Sequence, residues 1–142
     1  MKICYVTGYS GISADRIDII KQRLRKEILR AVEDGYMHFI NGFSEELDLY
    51  FVEIIIELRK NYPKMVLEAA LWNDNKLAKN GKSFDEILKS CNIERCLIDR
   101  YHYILHNSER VIAVCGGSKK SDIRLFINSA ISLNRDVYVI FE

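Results

Sequence analysis

The feature that most limits what this chain can become is alternation. Short runs rich in β-branched and aromatic residues take turns with segments whose apolar residues recur at three- and four-residue spacing. Strands separated by whole helices are joined by crossovers and not by hairpins, so successive strands run in parallel. The pattern predicts an α/β fold: a Rossmann-like three-layer sandwich with a mainly parallel five-stranded sheet.

The strands read as Lys2 to Thr7, Tyr36 to Asn41, Lys64 to Ala70, Arg110 to Cys115 and Val137 to Phe141. The first helix starts with Asp15 as its cap and runs to about Asp34. Ile17, Ile20, Leu24, Ile28 and Ala31 form its apolar stripe, and Gly35 stops it. Trp72 to Lys82 is polar and reads as a loop. Ser83 and Glu86 have the spacing of a capping box for a short helix to about Ser90. Residues Ile93 to Asn107 read as mainly helical, and Ser121 or Asp122 caps a last helix ending near Leu133.

The second helix, roughly Glu45 to Asn61, is apolar on two sides. Leu47, Phe51, Ile54 and Leu58 make one stripe; Leu49, Val52 and Ile56 make another. One stripe faces the sheet, and the other needs a second partner. The expected partner is another copy of the chain, giving a homodimer through this helix. The alternative is an internal cover from the residues after Trp72 or from the helix near Ile98.

At 142 residues, with 49% hydrophobic and 29% charged residues, the chain is expected to form one domain over 1–142. Its 21 basic and 20 acidic residues leave a net charge of +1, which argues against a dedicated nucleic-acid binder. The basic cluster Lys21, Arg23, Arg25, Lys26 and Arg30 reads as a solvated helix face. The apolar runs, such as Ile54 to Ile56, are too short to span a bilayer. The first residues enter a strand at once, without the features of a secretory signal. The four cysteines show no CxxC spacing. A reducing, cytoplasmic setting is expected.

In open parallel sheets, ligands bind beyond the carboxyl ends of the strands, where strand order reverses. Three loops meet that description: Thr7-Gly8-Tyr9-Ser10-Gly11, Asn41-Gly42-Phe43-Ser44 and Gly116-Gly117-Ser118-Lys119-Lys120-Ser121. Glycines let the backbone approach a phosphate, and helix N-termini supply N–H donors. Each loop alone is ordinary turn punctuation; three on one sheet edge predict a ligand site. None is a Walker loop or a GxGxxG fingerprint, so no cofactor is predicted. Asp48, in the first turn of the second helix, is placed to meet ribose hydroxyls or loop N–H groups, whereas Glu53 reads as a solvated carboxylate. His102 and His106 share a helix face but lack a third ligand, so no metal is predicted. Cys115 reads as a buried strand-end cysteine rather than a nucleophile.

Further residues resemble a known family. VTGYSG (Val6 to Gly11) is similar to the opening V-T-G-[HY]-R of the YpsA-like group within the SLOG superfamily. FINGFSEELDLYFVEIIIELRKNYP (Phe39 to Pro63) resembles its F-[IV]-[ST]-G-[GM]-A-x-G-[VF]-D-x-W-[AS]-A-E pattern at Phe39, Ile40, Gly42, Asp48 and Glu53, and then at Tyr62-Pro63. LEAALWNDN (Leu67 to Asn75) resembles its third strand and the following loop. RYHYILHNSERVIAVCGG (Arg100 to Gly117) resembles R-N-x-x-M-V-D-x-S-D-x-[LV]-I-A-V-x-x-G.

The resemblance implies a Rossmann-like fold and a site for nucleotides, nucleotide derivatives or nucleic acid. The chain also departs from the pattern. Glu46 stands for a glycine, Tyr101 for an asparagine, His106 for an aspartate, and Lys119-Lys120-Ser121 for G-G-T. Between Ser90 and Arg100 the chain is shorter than its relatives by about a strand and a loop. LOG-type phosphoribohydrolases carry P-G-G-x-G-T-x-x-E, where GGSKKSDIR (Gly116 to Arg124) offers Arg124 or Leu125 in place of the glutamate. Without that carboxylate, N-glycosidic cleavage lacks an evident general acid or base.

The leading expectation is therefore a binder or sensor of a nucleotide-derived, phosphate-bearing small molecule, with little or no catalysis. Thr7, Gly8, Tyr9, Gly42, Ser44, Gly116, Gly117 and Ser118 would approach the phosphate or ribose. Lys119, Lys120 and Arg100 would supply positive charge, and Asp48 would meet hydroxyls. One alternative is a nucleotide N-glycosidase using Glu46, Asp48 or Glu53 in place of the missing glutamate. Another is a protein-interaction module with a degenerate pocket.

Overall fold

β1 (Lys2–Thr7), β2 (Tyr36–Asn41), β3 (Val66–Trp72), β4 (Ile93–Leu97), β5 (Arg110–Cys115) and β6 (Asp136–Phe141) form one sheet in the order β4-β3-β2-β1-β5-β6. Every pairing is parallel. Between the strands lie α1 (Ile17–Glu33), α2 (Glu46–Leu58), α3 (Arg100–Asn107) and α4 (Asp122–Ser132). The computed structural model describes residues 2–8, 13–42, 46–72, 88–115 and 122–141. The capping box at Ser83 and Glu86 lies outside them.

Two cores sandwich the sheet. On one face α1 and α2 bury Leu24, Ile28, Phe51 and Ile55 against Cys4, Val6, Phe39, Leu67 and Ile112. On the other, α3 and α4 bury Ile104, Phe126 and Ala130 against Tyr5, Ile40, Val111 and Ala113. Strand residues alternate between the two cores, as the period-two pleat requires. Each fully buried large aliphatic side chain contributes about 1.5–3 kcal/mol. β1 leads to α1 on one face and β5 leads to α4 on the other, so the order reverses between adjacent strands β1 and β5. This is the switch point at which open α/β sheets form their crevice.

The structure corrects several sequence expectations. There are six strands among the described residues and not five, because Ile93–Leu97 is a strand and not helix. Ile93 and Leu97 lie four apart, which fits a helix turn. They also alternate with Glu94 and Cys96, which fits a strand, and pairing with β3 decides the matter. The stretch read as a strand shorter than its relatives thus holds an edge strand. β3 is shifted two residues toward the C-terminus of its expected range.

Asp15 does not cap α1. Arg16 takes that position in αR geometry, with no side-chain cap bond. Gly35 does stop the helix, with φ at +97° and its N–H donating to the Val32 carbonyl.

The second apolar stripe of α2 is largely covered from within the chain. Val52 is completely buried, Leu49 is half-buried, and Ile56 alone of the three is exposed. The expectation that this stripe requires a second subunit therefore loses its central residue. Arg25 of α1 pairs with Glu57 of α2 at 2.8 Å, tying the neighbouring helices together. No described helix is long and apolar enough to cross a membrane.

Candidate functional site

At the carboxyl ends of β1 and β2, the sequence places polar residues where the flanking strand positions are apolar. Asn41 closes β2 and is fully buried, and Asp48 in the first turn of α2 is 3% exposed. The Asn41 side-chain amide donates to Asp48 Oδ1 at 3.0 Å and to the Val6 carbonyl at 3.0 Å. Arg100, the first residue of α3, is 4% exposed, and its Nη1 donates to the Gly42 carbonyl at 3.4 Å. Asp99 caps α3 by accepting from the His102 N–H at 3.1 Å, which fixes where the helix begins. A buried carboxylate and a buried guanidinium thus flank the end of β2, and each is costly unless compensated.

Tyr5 lies beneath them on the α3–α4 face. Burial raises its phenol pKa. The Arg100 charge and a hydrogen bond to Thr7 oppose that rise, and the Asp48 charge adds to it. The Phe126 ring bridges Tyr5 and Tyr101, with centroids 5.1 and 5.5 Å away, and the Arg100 guanidinium lies 5.4 Å from the Tyr101 ring. Thr7, Gly42, Asp48 and Arg100 are therefore brought to one edge of the sheet.

Gly8 is at the same edge, where its lack of a side chain also serves packing. A Cβ there would stand 1.7 Å from Leu47 Cδ2. The missing side chain lets Leu47 at the start of α2 pack against the end of β1, and any Cβ there would force Leu47 to move.

Tyr9, Ser44, Gly116, Gly117, Ser118, Lys119 and Lys120 lie outside the described residues, as does the Glu46 side chain, although Glu46 opens α2. Glu53 is exposed on α2. The His102 and His106 rings lie 4.2 Å apart on the exposed side of α3. No group of three or more potential metal ligands occurs among the described residues. Burial raises the Cys115 thiol pKa, partly opposed by Arg124, which keeps the group from being an activated nucleophile.

A second polar cluster, which no sequence motif marks, gathers around Glu68. Glu68 on β3 is 1% exposed yet carries a carboxylate. Its Oε1 is 2.8 Å from His38 Nε2 on β2. Its Oε2 accepts from Tyr103 Oη of α3 at 2.5 Å and from Arg95 Nε of β4 at 3.2 Å. Burial works to raise the Glu68 pKa, but the hydrogen bonds from His38 and Tyr103 and the nearby charges prevail and hold it low. Burial and the carboxylate push the Tyr103 phenol up to about 12. The available signal was a lone charge within the apolar run VLEAAL, which demands partners if the strand is central.

No family model matches the sequence. A UPF0398 protein of Ligilactobacillus salivarius (strain UCC118) is 28% identical, over 49% of this chain and 46% of that protein. The chain thus matches less than half the length of this curated relative. In fold, the crystal structure of TM1055 aligns with a TM-score of 0.64 at 18% identity, covering 96% of this chain and 72% of that one. The first match is a partial likeness to a UPF0398 protein, and the second is a likeness of fold. At 18% identity the likeness to TM1055 is one of parallel α/β fold. Of the residues that carry the sequence resemblance, Thr7, Gly42, Asp48 and Arg100 lie at the shared edge. Glu53, also a motif match, stays on the solvent side of α2.

Proposed function

We propose that the sheet's carboxyl edge, at the β1–β5 switch, binds a nucleotide-derived, phosphate-bearing small molecule, and that the chain serves as its binder or sensor. The observation that carries this reading is Arg100, a buried cation at the end of β2 beside the buried Asp48–Asn41 pair. A guanidinium suits phosphate oxygens, and a carboxylate suits ribose hydroxyls. Thr7, Gly8, Tyr9, Gly42, Ser44, Gly116, Gly117, Ser118 and Lys119 complete the proposed site. A single domain over 1–142 in a reducing, cytoplasmic setting belongs to the same proposal.

Native mass spectrometry of the protein against mononucleotides, cyclic nucleotides and ADP-ribose derivatives tests the reading. One of these should add a stoichiometric mass that Arg100→Lys weakens. A failure of all three classes to bind would contradict it.

One observation favours a second reading, an N-glycosidase: Asp48 is a buried carboxylate within the proposed site. Release of free base from nucleoside monophosphates, lost in Asp48→Asn, would establish catalysis. Intact substrate after prolonged incubation leaves the binder.

A further inference from the structure

Arg100 and Tyr103 stand three residues apart on α3, which places them on adjoining parts of one helix face. Arg100 reaches the Gly42 carbonyl at the end of β2, and Tyr103, one turn on, reaches the Glu68 carboxylate on β3. An eight-residue helix has little intrinsic stability, so its roll and depth depend on what it touches. At its far end, five residues beyond Arg100, Arg135 Nε donates to the Leu105 carbonyl at 3.0 Å. Glu68 is the more rigid anchor. It is fully enclosed, and His38 and Arg95 hold its two oxygens from the neighbouring strands.

We propose that Glu68 is a positioning residue for the candidate site: through the Tyr103 phenol it sets the orientation of α3 and so aims the Arg100 guanidinium at the end of β2. The proposal rests on the ligand reading above for its functional consequence, but the geometric part stands on its own. A charge-assisted O–H···O bond is short and directional, so it can transmit the position of a strand to a helix. Removing it leaves α3 held by the Arg135–Leu105 and Arg100–Gly42 bonds and by its apolar contacts, chiefly Ile104, which resist separation more than rotation.

Two readouts on the full chain test this. The first uses no ligand: the Arg100 Nε–H resonance is followed by NMR in Tyr103→Phe and Glu68→Gln. Both variants should stay folded and move that resonance. Asp136→Asn, which weakens a cluster at the opposite edge of the sheet, should lower the melting temperature and leave the resonance in place. An Arg100 signal unchanged in folded Tyr103→Phe and Glu68→Gln would overturn the proposal, whatever happens to stability.

The second readout is affinity for adenosine 5′-monophosphate. Tyr103→Phe should weaken binding by about three- to tenfold. Arg100→Lys should weaken it as much or more, and adding Tyr103→Phe to Arg100→Lys should cost nothing further. Additive losses in the double variant would show that Tyr103 does not act through Arg100, which overturns the positioning role. Full affinity in Arg100→Lys would instead overturn the ligand reading and remove the site that Glu68 serves. The two failures are therefore distinguished: additivity in the double variant marks the first, and a silent Arg100→Lys marks the second.

Discussion

The side-chain amide of Asn41, the last residue of β2, donates at 3.0 Å both to Asp48 Oδ1 on α2 and to the Val6 carbonyl on β1. One buried side chain thereby joins two strands to the helix that follows them, at the edge where the site is proposed. Replacing Asn41 by Leu removes both bonds and leaves the Val6 carbonyl and the Asp48 carboxylate short of a donor. The expected cost is about 1–3 kcal/mol, read from urea unfolding. An unchanged midpoint would show that the amide is not holding the edge together.

Gly8→Ala tests why glycine follows β1. The added Cβ would overlap Leu47, which is itself almost fully buried and has little room to move. A loss of about 1–3 kcal/mol is expected from overpacking. The double variant Gly8→Ala with Leu47→Ala should lose less than the sum of the two single losses. If Gly8→Ala melts like the native protein, the close approach of α2 to β1 is not what requires glycine.

Val52→Lys separates the two accounts of α2. An exposed dimer stripe would accept the lysine and yield a soluble monomer. The structure buries Val52 completely, so the substitution places a charge in the core. Loss of cooperative unfolding, followed by circular dichroism, is the expected result. A folded protein with native melting would return the residue to the surface. Ile56→Lys, at an exposed position, should be nearly neutral.

Much of the architecture was legible because it depends on period. The apolar stripe of α1 and the bounds of β1, β2 and β5 follow from burial on one face or on both. β4 was not legible: Ile93 and Leu97 satisfy helix and strand spacing alike, and only its neighbour β3 decides. Val52 shows the same limit, since a second stripe reveals that a helix has two partners and not which ones. At the site, Asp48 and Arg100 could be singled out from the sequence. The bond that joins Asn41 to Asp48 could not, because it crosses from a strand end to a helix turn. Glu68 was missed because its partners His38, Arg95 and Tyr103 come from three separate elements.

Glu68 also makes a pH prediction. Its folded-state pKa is lowered relative to the unfolded chain, so the unfolded state takes up the proton first. Its stabilising contribution is fully present above the unfolded value of about 4.3 and is lost as pH falls through the lower folded value. Unfolding free energy should fall with acid below about pH 4.3, and Glu68→Gln should flatten that fall. A variant with the same acid slope as the native protein would show that Glu68 carries no such linkage.

The central claim is that the carboxyl edge of the sheet is where a nucleotide-derived ligand binds. The most direct measurement is a titration of the isotopically labelled protein with adenosine 5′-monophosphate, cyclic nucleotides and ADP-ribose, following backbone amide shifts. The account predicts saturable changes concentrated at Thr7, Gly8, Asn41, Gly42 and Arg100, with Glu109 and Asp136 at the opposite edge left unmoved. Saturable changes centred on Glu109 and Asp136, or no saturable change with any of these ligands at millimolar concentration, would contradict it.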